Sequence, residues 1–164
     1  MAKITFKGNE INTIANLPVG IAPNFSLVKS DLSEAKLTDF KGKKVILNIF
    51  PSLDTSVCAS SVRKFNAELN KLANTVVLCI SKDLPFAHKR FCEVEGLENV
   101  ISLSEFRDKN FSTIYGVEMI DGPLKGLMAR SVFVIDENGS IIYSELVPEI
   151  AQEPNYEAAL TAVK

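Results

Sequence analysis

The sequence predicts an α/β fold with a central mixed β-sheet flanked by helices. Two apolar runs rich in β-branched residues, 45–50 and 75–81, are typical of buried strands. Between them, over about 57–73, apolar residues recur at the period of an amphipathic helix. A strand, a helix and a second strand in this order predict a right-handed β-α-β unit with parallel strands.

Further elements are predicted on both sides of this unit. At the N-terminus, alternating residues at 3–7 and 11–14 predict a β-hairpin around Gly8-Asn9. After the unit, the patterns predict a helix, a strand, a helix, an antiparallel hairpin and a closing helix at 86–95, 100–103, 108–115, 129–146 and 154–164. No linker, repeat or low-complexity segment interrupts the chain, so we expect one domain over residues 1–164.

Composition excludes several classes of partner. Eighteen basic and twenty acidic side chains give a net charge of −2, so we expect neither nucleic acid nor an anionic membrane as a partner. No apolar run approaches the ~20 residues of a membrane span. The N-terminus has no apolar stretch typical of an export signal, which favours a cytoplasmic location.

The three cysteines, Cys58, Cys79 and Cys92, form no C-x-x-C pair. The odd count and the spacing argue against a structural disulfide framework and against a zinc site. The missing C-x-x-C also weighs against a general disulfide oxidoreductase. In a reducing compartment, any disulfide is expected to be transient and catalytic.

Cys58 is predicted to lie in the first turn of a helix that begins at the carboxyl end of a strand. Asp54, Thr55 and Ser56, just before it, are all residues favoured at helix N-caps. The carboxyl edge of an open α/β sheet is where ligands gather, and a helix N-terminus favours an anion such as a thiolate. From spacing alone, however, a cysteine that tops the apolar stripe of the helix is an equally good interpretation.

A reactive thiolate at this position requires a cation from elsewhere in the chain. An ordinary thiol is only about 3% ionised at pH 7; making it mostly anionic takes roughly 3.4 kcal/mol, and a helix end rarely supplies more than about 2 kcal/mol. Arg63, five residues on, points away because it lies roughly 140° around the helix. Arg130 is either a solvated residue at a strand start or the remote cation, and the sequence alone leaves both open.

The other two cysteines have different surroundings. Cys79 lies inside an apolar strand, which indicates a buried, inert thiol. Cys92 lies off the apolar stripe formed by Phe86, Phe91 and Val94, so we expect it to be half exposed. Spacing does not decide whether Cys92 is incidental or functional.

His88, the only histidine, is flanked by Ala87 and Lys89, which favours an exposed helix face without a ligand or catalytic role. This also argues against a Cys-His protease.

The segment Pro51-Ser-Leu-Asp-Thr55-Ser-Val-Cys58 resembles the peroxidatic motif of peroxiredoxins. With the following Ala-Ser-Ser-Val-Arg-Lys-Phe65, it is similar to the bacterial thiol peroxidases, an atypical two-cysteine subfamily. Four further segments are similar: Asp83-Leu-Pro-Phe86, Arg90-Phe-Cys92, Gly122-Pro-Leu-Lys-Gly126 and Ala129-Arg-Ser-Val132. The predicted layout is also that of a thioredoxin-like fold. Ser56 departs from the proline of many peroxiredoxins, which puts the rigidity of the loop in doubt more than the chemistry.

This resemblance implies a thioredoxin-dependent peroxidase that reduces hydrogen peroxide and organic hydroperoxides to water and alcohols. Cys58 would be the peroxidatic cysteine and Cys92 the resolving cysteine, joined in an intramolecular disulfide. Thr55 would hydrogen-bond the thiolate and the peroxide, Pro51 would shield the sulfenic acid, and Arg130 would be the cation. Because both cysteines are predicted on helices, forming the disulfide is expected to need local unwinding.

The resemblance also implies no metal or organic cofactor, thioredoxin as reductant, and a homodimer. Asp54 would be a cap or loop ligand and not a base, because the reaction starts from a thiolate already formed. Phe50 and Phe91 are candidates to line an apolar entrance for alkyl hydroperoxides. A redox sensor that passes its disulfide to a partner protein shares the first step, so only multiple turnovers with thioredoxin distinguish it from a peroxidase.

Overall fold

Nine strands and four α-helices make up the computed structural model, which describes residues 1–164. The strands are β1 (Lys3–Phe6), β2 (Asn9–Asn12), β3 (Ser26–Lys29), β4 (Glu34–Lys36), β5 (Lys44–Ile49), β6 (Thr75–Ser81), β7 (Ile101–Ser104), β8 (Ser131–Ile135) and β9 (Ile141–Leu146). The helices are α1 (Ser56–Leu69), α2 (Pro85–Glu95), α3 (Asn110–Ile114) and α4 (Tyr156–Val163), with a 3-10 turn at Leu37–Phe40. None of these helices has the length and apolar character needed to cross a membrane.

A seven-stranded mixed sheet lies at the centre, in the order β4-β3-β7-β6-β5-β8-β9. β5 pairs in parallel with β6, with Ile49 opposite Ile80, and antiparallel with β8, with Ile49 opposite Ser131. β1 and β2 form a separate antiparallel hairpin. The predicted fold class, including the parallel β5-α1-β6 unit and the N-terminal hairpin, is therefore confirmed.

Apolar side chains fill both faces of the sheet because successive residues of a strand point to opposite sides. On one face, Ile46 of β5 packs in a cluster with Val62 and Phe65 of α1. On the other face, Leu47 of β5 belongs to a second cluster that includes Phe111 and Tyr115. The sheet is thus covered on both sides at β5, the strand that leads into the Cys58 segment.

Two elements differ from the predictions. α1 ends at Leu69, four residues before the predicted limit, because the chain turns back into β6 through Asn74, which has a positive φ of 52°. Leu72, which falls within the predicted helix, still packs against the core from this turn. The short edge strand β4 was not predicted; only the central one of its three residues is buried, too few to give a periodic pattern.

The buried face of α2 is not the predicted one. Phe86 and Val94, expected on the core stripe, are 64% and 79% exposed, whereas His88, expected on the surface, is only 1% exposed. Pro85, His88 and Cys92 lie three and four residues apart and form the inward face. The sequence misleads here because the inward face carries a histidine and the outward face carries two large apolar residues.

His88 is buried as a neutral imidazole. Its Nε2 lies 3.0 Å from Oγ of Ser81, and its Nδ1 has no hydrogen-bond partner. Burial lowers the pKa of His88 to about 4, an effect that the nearby charge of Asp83 partly opposes. The folded protein therefore resists protonation of His88 well below the pH at which a solvated histidine titrates.

Replacing His88 with glutamine keeps an N–H donor near Nε2 and removes the titrating group. An unfolded histidine binds a proton below about pH 6.5, whereas the folded His88 binds it only near its pKa of about 4, so stability falls as the pH drops between these values. We expect the free energy of unfolding, measured in urea, to fall between pH 7 and pH 5 by about 2 kcal/mol more in the wild-type protein than in His88→Gln. The exposed neighbour gives the control, Lys89→Gln, which should keep the wild-type pH dependence; identical curves for wild type and His88→Gln would contradict the assignment.

Candidate active site

The loop from Pro51 to Thr55 connects β5 to α1 and delivers Cys58 to the carboxyl edge of the sheet. The amide of Phe50 still bonds the carbonyl of Ile80, so the loop leaves the sheet at a defined point. Pro51 is buried, and Thr55 has the extended backbone of an N-cap residue, with φ −101° and ψ 142°. Cys58 follows in the first turn of α1, fully buried.

A buried arginine contacts this sulfur. Nη1 of Arg130 donates to Sγ of Cys58 across 3.2 Å, and Nε donates to the carbonyl of Ile150 at 2.9 Å. Arg130 immediately precedes β8, the strand beside β5, and so it reaches Cys58 although the two are 72 positions apart in the chain. Arg63 instead forms an exposed ion pair with Glu95, 2.8 Å from Nη2 to Oε1.

The electrostatics of this contact are unusual for a buried guanidinium. Arg130 is only 2% exposed, and no carboxylate lies within ion-pair distance of it. A buried cation without a counter-ion is costly, and an anionic sulfur at the N-terminus of a helix offsets that cost. The arrangement is therefore suited to hold Cys58 as a thiolate.

Thr55 lies at this site but makes a different contact from the expected one. Its hydroxyl donates to the carbonyl of Ser52 at 3.0 Å, and its amide bonds the same carbonyl at 3.2 Å. The hydroxyl thus stabilises the turn before α1, and its bond is to Ser52 rather than to Cys58 Sγ.

A cleft of about 210 Å³ opens beside the loop. It brings together Pro51, Thr55 and Arg130, three of the residues predicted from the sequence. Most of its remaining wall is apolar and comes from the N-terminal hairpin, α1, the 122–127 loop and the segment after β9: Phe6, Val57, Leu124, Leu127, Ile150 and Ala151. Because the cleft combines apolar walls with a buried cation, it suits a small, partly apolar ligand with a polar end.

The predicted entrance phenylalanines do not line this cleft. Phe50 is completely buried in the core, and Phe91 lines a different, smaller cleft of about 130 Å³ beside Asp54 and Arg90. A larger cleft of about 390 Å³, bordered by the 3-10 turn and the turn after β8, contains no cysteine.

The two remaining thiols are free and differ in accessibility. Cys92 is half-buried on α2, packs against the same apolar cluster as Cys58, and has Sγ 3.4 Å from Oγ of Ser102. Burial raises the pKa of Cys92, which the Ser102 hydrogen bond partly opposes. Burial likewise raises the pKa of Cys79 to about 12, in line with an inert thiol inside β6.

Asp83, which was given no role from the sequence beyond its place in a similar segment, forms a polar group behind the loop. The Asp83 carboxylate accepts hydrogen bonds from Oγ of Ser52 at 2.8 Å, the amide of Leu53 at 2.8 Å and Oγ of Ser81 at 2.6 Å. Ile49 of β5 pairs with Ile80 of β6. Ser52 lies three residues after Ile49, and Asp83 lies three residues after Ile80, so the two follow their strands at equivalent positions. An aspartate just past a parallel neighbouring strand was the available signal.

No group of three or more His, Cys, Asp or Glu side chains is placed to bind a metal ion.

Known proteins with similar sequences and structures fit this geometry. The family model described as Redoxin matches residues 18–160. Thiol peroxidases of Mycobacterium bovis and Mycobacterium tuberculosis are each 57% identical over 165 residues, covering 99% of both chains. A peroxiredoxin-like protein from Aquifex aeolicus superposes with a TM-score of 0.94 at 39% identity, covering 99% of this chain and 96% of that one.

A solved thiol peroxidase from Chromobacterium violaceum has a TM-score of 0.86 at 22% identity, covering 97% of this chain and 93% of its own, and so supports the fold. The redoxin match over most of the chain and the full-length similarity at 57% identity agree with the motif around Cys58. This chain therefore belongs to the redoxin family, and within it to the thiol peroxidases.

Proposed function

We propose that this protein is a thioredoxin-dependent peroxidase that acts as a single domain and reduces hydroperoxides through Cys58. The observation that carries the proposal is the 3.2 Å contact between a buried arginine without a carboxylate partner and the sulfur of Cys58, beside an apolar cleft. A thiol that only filled the core would need no cation beside it. The 57% identical thiol peroxidases support the same reaction class.

In the first step, the Cys58 thiolate attacks the terminal oxygen of a hydroperoxide bound in the cleft. The S–O bond forms as the O–O bond breaks, so sulfur is oxidised to the sulfenic acid and the peroxide is reduced. The alcohol oxygen leaves as an alkoxide and takes a proton from solvent. Arg130 stabilises the negative charge that moves from sulfur to the leaving oxygen, and Pro51 shields the sulfenic acid from water.

Thr55 is placed to assist once its hydroxyl turns from Ser52 towards the cleft, where its side chain already forms part of the wall. A hydroxyl in this position donates to the peroxide or to the sulfur. The hydroxyl would exchange one acceptor, the Ser52 carbonyl, for another. The carbonyl would keep its bond to the Thr55 amide, so no group would be left unpaired.

In the second step, the sulfur of Cys92 attacks the sulfenic sulfur of Cys58. The S–S bond forms, the S–O bond breaks, and the hydroxyl leaves as water with the proton of Cys92. Both cysteines lie on helices as free thiols, so this step includes local unwinding of α1, α2 or both. The dithiol of thioredoxin then restores both thiols by disulfide exchange.

The cleft favours apolar peroxides as well as hydrogen peroxide. Phe6, Leu124 and Leu127 offer an apolar wall to an alkyl group, while Arg130 receives the polar end. A reducing compartment suits recycling by thioredoxin, and we propose the cytoplasm. We also propose a homodimer and a role in antioxidant defence.

Counting free thiols and mapping disulfides by mass spectrometry tests the pairing. After one equivalent of cumene hydroperoxide, we expect the loss of two of the three thiols per chain and a single Cys58–Cys92 link. Cys58→Ser should be inert towards peroxide, and Cys92→Ser should consume one equivalent and then stop in the presence of thioredoxin and its reductase. Cys79→Ser serves as the control and should turn over like wild type.

Three unreacted thiols would refute the peroxidase. Full turnover in Cys92→Ser would refute Cys92 as the resolving residue. Oxidation by one equivalent without repeated turnover of the wild-type protein would favour the redox sensor.

Replacing Arg130 with methionine, which fills similar space without charge, tests the cation. We expect peroxide reduction to slow by about 10²-fold, as for the loss of a group that stabilises transition-state charge. Alkylation of Cys58 by iodoacetamide at a fixed pH should slow, because the anionic sulfur loses its counter-ion. Arg63→Met, a loss of the same charge from an exposed ion pair, is the matched control. Unchanged alkylation in Arg130→Met would assign the cationic role elsewhere.

A further inference from the structure

The Asp83 carboxylate is the point at which the loop before Cys58 is attached to the neighbouring strand. One carboxylate oxygen accepts the Ser52 hydroxyl, and the other accepts both the Leu53 amide and the Ser81 hydroxyl. All three distances are 2.8 Å or less, as is typical of bonds to a charged acceptor. Two of these donors, the Ser52 hydroxyl and the Leu53 amide, lie in the loop between β5 and α1, so the loop conformation depends on this carboxylate.

From Ser52 the contacts continue to the start of α1. The hydroxyl of Ser52 accepts the amide of Asp54 at 3.1 Å, while its carbonyl accepts both the amide and the hydroxyl of Thr55. Thr55 is the N-cap of the helix that carries Cys58. Asp83 therefore fixes, through Ser52, the turn that orients the first helical residues and one wall of the cleft.

On its other side, Asp83 is connected to α2. Ser81 has a single hydroxyl hydrogen and uses it in the 2.6 Å bond to Asp83, so the 3.0 Å contact with His88 is a donation from Nε2 of the neutral imidazole to Oγ of Ser81. His88 lies on α2, four residues before Cys92 and on the same inward face. The network of Ser52, Leu53, Ser81, Asp83 and His88 thus spans the two segments that carry the reacting cysteines.

We propose that Asp83 is a positioning residue with opposite effects on the two chemical steps. It holds the Pro51–Thr55 loop in the conformation in which Cys58 attacks peroxide. The hydrogen bonds of Asp83 must be released before Cys58 and Cys92 can meet. This inference rests on the proposed peroxidase function and on the pairing of those two cysteines. A bound loop favours the first step, and a released loop favours the second.

Replacing Asp83 with asparagine weakens this attachment with little change in shape. Asparagine offers one acceptor oxygen to three donors and turns its amide N–H groups towards one of them, so at least one donor is left unpaired. Because the loop then samples released conformations more often, the geometry for attack is lost for part of the time. The sulfenic acid, once formed, meets Cys92 sooner.

Asp31 supplies a matched control. Its carboxylate also accepts a backbone amide and a serine hydroxyl, both from Ser33, in the turn between the edge strands β3 and β4. Asp31→Asn therefore removes the same charge and the same types of hydrogen bond at a position that belongs neither to the cleft nor to the Asp83 network.

The experiment measures both steps by stopped flow with cumene hydroperoxide. The rate of Cys58 oxidation is the one that depends on peroxide concentration. The rate of disulfide formation comes after it and does not depend on peroxide concentration. In Asp83→Asn we expect the first rate to fall about tenfold and the second to rise about fivefold, with wild-type rates in Asp31→Asn. A shorter-lived sulfenic acid also predicts less sulfinic acid at high peroxide, measured by mass spectrometry.

The outcomes separate this inference from the proposed function. If wild type and Asp31→Asn consume peroxide but both rates in Asp83→Asn equal theirs, or both fall, the positioning role is refuted while the peroxidase stands. If wild type forms no sulfenic acid, the proposed function itself fails. Should Asp83→Asn not fold, Ser52→Ala removes one of the same three bonds and is expected to shift both rates in the same directions by smaller factors, with unchanged rates again refuting the role.

Discussion

The contact between a buried guanidinium and a buried sulfur is the constraint on which the rest of the site depends. Arg130 has no carboxylate partner, so its charge is compensated by the sulfur of Cys58 and by the carbonyl of Ile150, while the N-terminus of α1 favours the same sulfur as an anion. Arg130, Cys58 and Ile150 come from three separate parts of the chain. They meet only because β8 pairs antiparallel with β5 and brings its first residues to the carboxyl end of that strand. The sheet topology is therefore a requirement of the chemistry.

Local patterns in the sequence were sufficient for most of the fold. β6 has the predicted limits, and α2 ends at Gly96 in the left-handed conformation that a glycine favours. The patterns failed where local and tertiary preferences disagree. On α2, residue type predicted a buried Phe86 and an exposed His88, and the structure has the reverse. Nothing local shows that Ser81 would supply a partner for a buried imidazole.

The candidate site divides in the same way. The place of Cys58 at a helix N-terminus follows from adjacent residues, and the need for a remote cation follows from electrostatics alone. The identity of that cation remained open from the sequence, since Arg130 is distant in the chain and only strand pairing brings it near. Asp83 was missed for a similar reason: its contact with Ser52 depends on the register of β5 against β6, which no periodicity specifies.

The surroundings of the three thiols also support the order of reaction that we propose. Cys58 alone contacts a cation, Arg130, which itself lines the cleft, whereas burial raises the pKa of Cys92 and leaves it with a serine hydroxyl as its polar neighbour. Cys92 is therefore suited to react second, after the loop or α2 has moved. Cys79 is enclosed in β6, where burial raises its pKa to about 12, and so it is the thiol least suited to either step. The proposed reaction thus uses one cysteine that contacts a cation at rest and a second that reacts only on rearrangement, and burial and charge favour this pairing over one that involves Cys79.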